Sequence, residues 1–389
     1  MRPWFALALA PALLAQSQED VARAAVNEAL AGDHGALMSR FADELRPQIP
    51  PGVFEQSFAA IRMQYGRCAA EDAKPLAEQA GMYLFGAACD NGRLGIRVVL
   101  NGENRLLGLR VAPPPPDPEE LAVISGAIRL PAKLTAPMAG RGPFPAVVLV
   151  HGSGPQDEDE TIGPVKFFRD IADGLSARGI ASLRYVKRTR MYPPADPSKF
   201  TVEQETVEDA VNAAALLRTQ ADIDPKRIYL IGHSLGGYLA PRIAKRDPAL
   251  RGVVVLAGNT RPIPVLIEEQ IKYVGAAPEM AEQLKRAAPE SYWKDLESYD
   301  PVAAAKSIAA PMLILQGERD YQVTMADFAG WRSGLGKSDR VTLKSYPKLN
   351  HLFREGEGKS TPAEYARGGA MAEYVLDDIS AWIKRGALR

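Results

Sequence analysis

The decapeptide Ile228-Tyr229-Leu230-Ile231-Gly232-His233-Ser234-Leu235-Gly236-Gly237 constrains this 389-residue chain more than any other segment. A short apolar run ends in glycine, a serine stands at the centre of a G-x-S-x-G pattern, and helix-compatible residues follow. In that setting Gly232 and Gly236 let a strand and a helix meet at an angle that side chains would obstruct, and Ser234 is raised out of the turn with its hydroxyl exposed. The bland alternative is an ordinary glycine-rich strand-to-helix turn. What separates the two readings is whether a base and an acid follow Ser234 in the chain.

A serine hydroxyl is a weak nucleophile until a base takes its proton. The chain has four histidines, His34, His151, His233 and His351. His34 lies far upstream, His151 follows an early strand-like run and reads as a brace for its loop, and His233 adjoins the serine and would point sideways. His351 remains, in Lys348-Leu349-Asn350-His351-Leu352-Phe353, after the strand-like run 341–346. The base needs a carboxylate to fix its tautomer. Met312-Leu313-Ile314-Leu315-Gln316 reads as a strand, and Gly317-Glu318-Arg319-Asp320 follows it. Asp320, three residues past the glycine, is the preferred acid, and Glu318 reads as a solvated carboxylate.

An oxyanion formed at such a serine needs backbone donors. One expected donor is the amide of Leu235. The other is expected from His151-Gly152-Ser153-Gly154-Pro155, after the apolar run 146–150, with Ser153 as its source. The glycine turn lacks G-x-G-x-x-G spacing and no histidine cluster marks zinc, so no cofactor or metal is expected.

Runs 146–150, 228–231, 253–256 and 312–315 are apolar on both faces and alternate with helical stretches such as 167–177 and 207–217. That pattern predicts a mostly parallel sheet covered on both sides, with chemistry just beyond the carboxyl ends of its strands. Residues 258–310, rich in helix formers and large side chains, are expected to insert as a helical cap.

Residues 18–112 carry helical spacing at 20–30 and 54–63, then strand-like runs at 82–88, 94–100 and 106–111, the last two joined by Asn101-Gly102-Glu103-Asn104. This predicts a small α+β module. It ends at the proline-rich linker 113–118, and 119–389 form the catalytic domain. Cys68 and Cys89 both fall in the module, as a disulfide pair or as two small core residues.

At the start, one arginine precedes an apolar run from Trp4 to Ala15 and polar residues follow, the order of a secretory signal spanning 1–17. The run is too short to span a bilayer well, so export without lasting membrane insertion is expected. Lysine plus arginine number 47 and aspartate plus glutamate 47, so no net field draws nucleic acid.

With these pieces in place, residues from about 119 to the end resemble secreted bacterial α/β-hydrolases of the dienelactone-hydrolase-like and serine-aminopeptidase-like group. The resemblance rests on His151 to Pro155, Tyr185 to Arg188, Gly232 to Gly237, Gly317 to Val323 and Leu349 to Phe353. Val186 departs from it, standing where relatives usually have aspartate. Residues 18–112 resemble the NTF2-like or cystatin-like module that often precedes such domains. The resemblance implies an α/β-hydrolase fold, a triad of Ser234, Asp320 and His351, and hydrolysis of small-molecule short-chain carboxylic esters. A serine peptidase using the same triad is the alternative.

Overall fold

A computed structural model describes residues 17–75, 81–112, 120–192 and 197–385. The expected secretory segment, apart from Ser17, and the proline-rich linker lie outside the described residues. The chain divides into two compact units, Met1–Pro115 and Pro116–Arg389.

In the first unit, helix α1 (Gln18–Ala31) begins at a capping box: the Ser17 hydroxyl accepts from the Asp20 amide, and Asp20 returns the contact. Its apolar stripe, Val21, Ala22, Ala25, Val26 and Ala29, is buried. Helices α2 (His34–Arg40) and α3 (Val53–Tyr65) follow. Strands β1 (Cys68–Pro75), β2 (Met82–Cys89), β3 (Gly92–Leu100) and β4 (Leu106–Ala112) form an antiparallel sheet in sequence order. Phe85, Ala87, Leu94, Ile96 and Val98 meet the α1 stripe in one core. Cys68 faces Cys89 across β1 and β2, and the two form a disulfide.

The second unit runs β5 (Ala122–Ser125), β6 (Ile128–Thr135), β7 (Phe144–Val150), β8 (Thr161–Ile162), β9 (Val165–Lys166), α4 (Phe167–Ala177), β10 (Ala181–Tyr185), α5 (Arg188–Met191) and α6 (Asp209–Arg218). It continues through β11 (Ile223–His233), α7 (Leu235–Arg246), β12 (Gly252–Leu256), α8 (Ile263–Val274), α9 (Glu279–Arg286), α10 (Glu290–Glu297) and α11 (Pro301–Ser307). It closes with β13 (Met312–Gly317), α12 (Met325–Leu335), β14 (Val341–Tyr346) and α13 (Glu373–Arg385). Among the described residues no helix is long and apolar enough to cross a membrane.

Eight strands form the main sheet in the order β14-β13-β12-β11-β7-β10-β6-β5. The six from β14 to β10 are parallel, and β6 and β5 close one edge antiparallel. Side chains alternate between two cores, as the pleat requires. Val148, Val150, Leu230 and Val253 face one, while Val147, Leu149, Ile231 and Val254 face the other. This is the mostly parallel sheet that the alternating pattern predicts, in the α/β-hydrolase architecture that the resemblance implies.

The strand order fixes where a ligand can sit. After β7 the chain crosses to β10 on one side, then returns to β11 on the other side and proceeds outward to β14. Such a reversal leaves a crevice beyond the carboxyl ends of the two central strands, here β7 and β11. Left-handed backbone collects along the same edge. Among the described residues five non-glycines have positive φ, and Glu160, Ser234, Ala257 and Phe353 all lie in loops at that edge.

Candidate active site

Ser234 follows β11 and caps α7 with φ 53° and ψ −116°, a conformation that costs an L-residue about 1–3 kcal/mol and persists only when surroundings enforce it. The enforcement is visible. The Ser234 amide donates to the Leu256 carbonyl at 2.9 Å. A Cβ on Gly232 would run into the Gly236 carbonyl, and one on Gly236 into the carbonyls of Val150 and His151. Both glycines are therefore required for β7, β11 and α7 to approach this closely. The Leu235 amide stands in the first turn of α7, where helix N–H groups lack intrahelical partners.

Asp320 and His351 meet at the ends of β13 and β14. Asp320 Oδ2 accepts from His351 Nδ1 at 2.7 Å, and both side chains are buried. Asp320 Oδ1 accepts the amides of Gln322 at 2.7 Å and Val323 at 3.0 Å. The Gln316 amide group donates to Oδ2 at 3.1 Å and to the Val323 carbonyl at 2.8 Å. Four donors thus hold the carboxylate in place and aim it at Nδ1, which leaves Nε2 on the open face of the ring. Glu318 is elsewhere, bonded to the Ser345 hydroxyl. No hydrogen bond among the described residues joins the Ser234 hydroxyl to the His351 ring; contacts of this kind commonly tighten only with substrate bound.

A feature that local sequence reading missed ties the loops together. His233 is buried, with Nδ1 3.1 Å from Glu160 Oε1 and Nε2 3.1 Å from the His351 carbonyl. Both partners are acceptors, so the two contacts are both hydrogen bonds when the ring is protonated on both nitrogens. Burial opposes that charge, but the Glu160 carboxylate overcomes it and raises the His233 pKa. Burial likewise works against the Glu160 anion, and His233, His151 and the Gly152 amide together hold its pKa below the ordinary value. Glu160 Oε1 also accepts the Gly152 amide at 2.7 Å. One ion pair thereby joins the loop after β7, the elbow after β11 and the loop after β14.

His151 has the bracing role. It packs on Phe168 and Tyr185, its Nε2 lies 2.9 Å from the Asp157 carbonyl, and burial pushes its pKa down to about 4. Ser153 follows at the exposed tip of the loop.

The insertion between β12 and β13 consists of α8 to α11. Helix α8 rests on the loop that carries Asp320: Tyr273 stacks on Tyr321 at 4.9 Å, and Gln270 donates to the Gln322 carbonyl. Helix α10 rests on α7, with the Tyr238 hydroxyl donating to the Leu296 carbonyl. Helix α11 packs on α7 and α12 as a crossover helix of the body.

Residues 196–375 match the prolyl oligopeptidase family. The chain is 41% identical over 331 residues to Esterase EstD of Thermotoga maritima, covering 78% of this chain and 79% of that protein. It is 22% identical over 277 residues to the acylamino-acid-releasing enzyme of Rattus norvegicus, covering 65% of this chain and 35% of that one. A hyperthermophilic esterase from the archaeon Pyrobaculum calidifontis superposes with a TM-score of 0.50 at 19% identity, covering 70% of this chain and 86% of that one, a likeness of fold.

Proposed function

The chain belongs to the α/β-hydrolase esterases of which Esterase EstD is a relative, and from that premise we propose that it is a serine carboxylesterase working through Ser234, His351 and Asp320 on short-chain esters. Ser234 Oγ attacks the ester carbonyl carbon while His351 Nε2 takes the hydroxyl proton, and Asp320 stabilises the imidazolium through Nδ1. The carbonyl oxygen becomes an oxyanion held by the amides of Leu235 and Ser153. Collapse expels the alkoxide, which takes the proton from His351 and leaves as the alcohol. Water then attacks the acyl-serine ester, its proton passes to His351, and the carboxylic acid departs as Ser234 recovers its proton.

The observation that carries this reading is the backbone of Ser234. A half-buried, glycine-enforced left-handed serine at the topological switch of a parallel sheet is costly to keep and has no packing purpose. The test is hydrolysis of p-nitrophenyl esters across acyl lengths beside aminoacyl and peptidyl anilides, with Ser234→Ala as control. Serine-dependent turnover greatest on short esters supports the proposal; turnover confined to anilides moves the same triad to a peptidase.

Export belongs to the same reading. It is supported by the charged-then-apolar order of residues 1–17 and by the Cys68–Cys89 disulfide, a bond that persists in oxidising compartments. Fractionation of expressing cells tests it: activity and full-length precursor retained wholly in the cytoplasm would overturn it.

A further inference from the structure

Lys187 takes no part in the chemistry above, yet it is buried to within 1% of its surface at the heart of the catalytic unit. It stands just past β10, the strand that flanks β7 on the side opposite β11. Its ammonium donates to the Gly152 carbonyl at 2.8 Å and pairs with Glu205 Oε2 at 3.3 Å. Glu205, in the π-helical turn Glu203–Glu208, also accepts the Tyr292 hydroxyl of α10 at 2.7 Å and the Thr189 hydroxyl at 3.0 Å. Placing a lysine and a glutamate out of water carries a large desolvation cost before their attraction offsets it, and an apolar pair of the same volume would usually serve packing as well.

Peptide geometry supplies the purpose. The Gly152–Ser153 bond is trans, so the Gly152 carbonyl and the Ser153 N–H point in opposite directions from one rigid plane. Fixing the carbonyl fixes the amide. The preceding peptide is fixed as well, because the Gly152 N–H is already committed to Glu160. Gly152 therefore cannot supply an oxyanion donor, and Ser153 can. The loop lies directly against the nucleophile: a Cβ on Gly152 would stand 3.3 Å from the Ser234 Cβ. With its carbonyl held by Lys187 from the β10 side, this plane presents the Ser153 N–H on its opposite face.

We infer that Lys187 is a positioning residue of the oxyanion hole, holding the Gly152–Ser153 peptide in the orientation that directs the Ser153 amide at the developing oxyanion. Because Glu205 also receives Tyr292, the orientation is coupled to the seating of α10. The inference rests on the esterase reading and assigns the second donor within it. Without the ammonium the plane is free to rotate, and a rotated plane offers a carbonyl oxygen, a repulsive group, where the donor belongs.

The experiment compares wild type with Lys187→Met and with Lys187→Met/Glu205→Gln, the second removing the carboxylate that the first leaves unpaired. Each folded variant is tested with p-nitrophenyl acetate, with a trifluoromethyl ketone whose serine adduct carries an oxyanion, and with the matching ether, which has no carbonyl to attack. The expected result is a fall in kcat/KM of about 10- to 100-fold with an equal loss of ketone affinity, while ether affinity changes by less than about threefold. The double variant should regain thermal stability without regaining ketone affinity. Wild-type ketone affinity in either folded variant would overturn the inference, and so would equal losses for ketone and ether, which would mark a distorted pocket. If wild type itself lacked Ser234-dependent turnover, the esterase reading would fail; normal wild-type turnover beside an unaffected Lys187→Met removes only the role of Lys187.

Discussion

The two units hold themselves together by opposite means. In the first, the core is apolar, and Arg97 is the one charged side chain among its described residues that is buried. A disulfide closes its sheet. In the second, charged groups are buried in pairs, and those nearest the strand ends pair across loops: Glu160 with His233, Lys187 with Glu205, Asp320 with His351. Backbone strain divides the same way. Among the described residues the first unit has one left-handed non-glycine, Asn104, in a hairpin turn where asparagine tolerates it, against four at the strand ends of the second. The small unit spends its interactions on staying folded; the large one gives up stability to fix directions.

That contrast can be broken most sharply at the nucleophile. Ser234→Ala should lower ester turnover on the order of 10⁶-fold while thermal unfolding stays level or improves, since one strained residue loses its purpose but not its fold. Asp320→Asn should cost on the order of 10⁴-fold, and Glu318→Gln almost nothing. Steady-state kinetics on purified variants decides; a Glu318→Gln loss exceeding that of Asp320→Asn would move the acid.

The covalent closure gives the next largest effect. Cys68 and Cys89 are 21 residues apart, and a closed loop of that size contributes about 3 kcal/mol. Reduction with dithiothreitol should therefore lower the calorimetric transition of the first unit by roughly 10–20 °C and leave esterase activity at moderate temperature unchanged. An equal drop in activity would mean that the units are not held by separate means.

Proton linkage should appear in the second unit. His151 ordinarily titrates near 6.5 but is held down to about 4 by burial, with Glu160, Lys187 and Asp157 as the charged groups facing it. Between those values the unfolded chain binds a proton that the folded one refuses, so stability falls by about 3 kcal/mol as pH drops from 6.5 to 4. His233, facing Glu160, Asp320 and His351, has a raised pKa, so its contribution is complete below 6.5 and is lost as pH climbs through the raised value. Urea unfolding across pH should thus peak near 6.5. His151→Gln should flatten the acid limb alone; a limb that survived intact would point to other groups.

Much of this was legible because the signals are local. The elbow, its glycines and the flanking strands are contiguous, and His351 followed from elimination among four histidines. The apolar runs became the central strands because two-sided burial leaves a continuous pattern. β1 escaped notice because Cys68-Ala69-Ala70-Glu71-Asp72-Ala73-Lys74-Pro75 has no strand-like composition; pairing with β2 overrides its preference. β5 and β6 were equally silent. Glu160 carried no signal and Lys187 entered only within the Tyr185 to Arg188 stretch, since their partners lie 73 and 35 residues away and only the sheet brings them together. His233 read correctly as turned sideways, but nothing local named the carbonyl of His351, 118 residues distant, as what it meets.

Those separations give turnover a meaning in time. The hydrogen bond from His233 to His351 closes only after β11, β12, β13 and β14 have paired in parallel, the slowest kind of assembly for a chain because long loops must close before any contact rewards them. Helical signal can return early in refolding, driven by neighbours in sequence, while this contact waits for the whole sheet. Ester hydrolysis then serves as a clock that starts at the last long-range event, and a refolding trace read by activity should lag one read by circular dichroism.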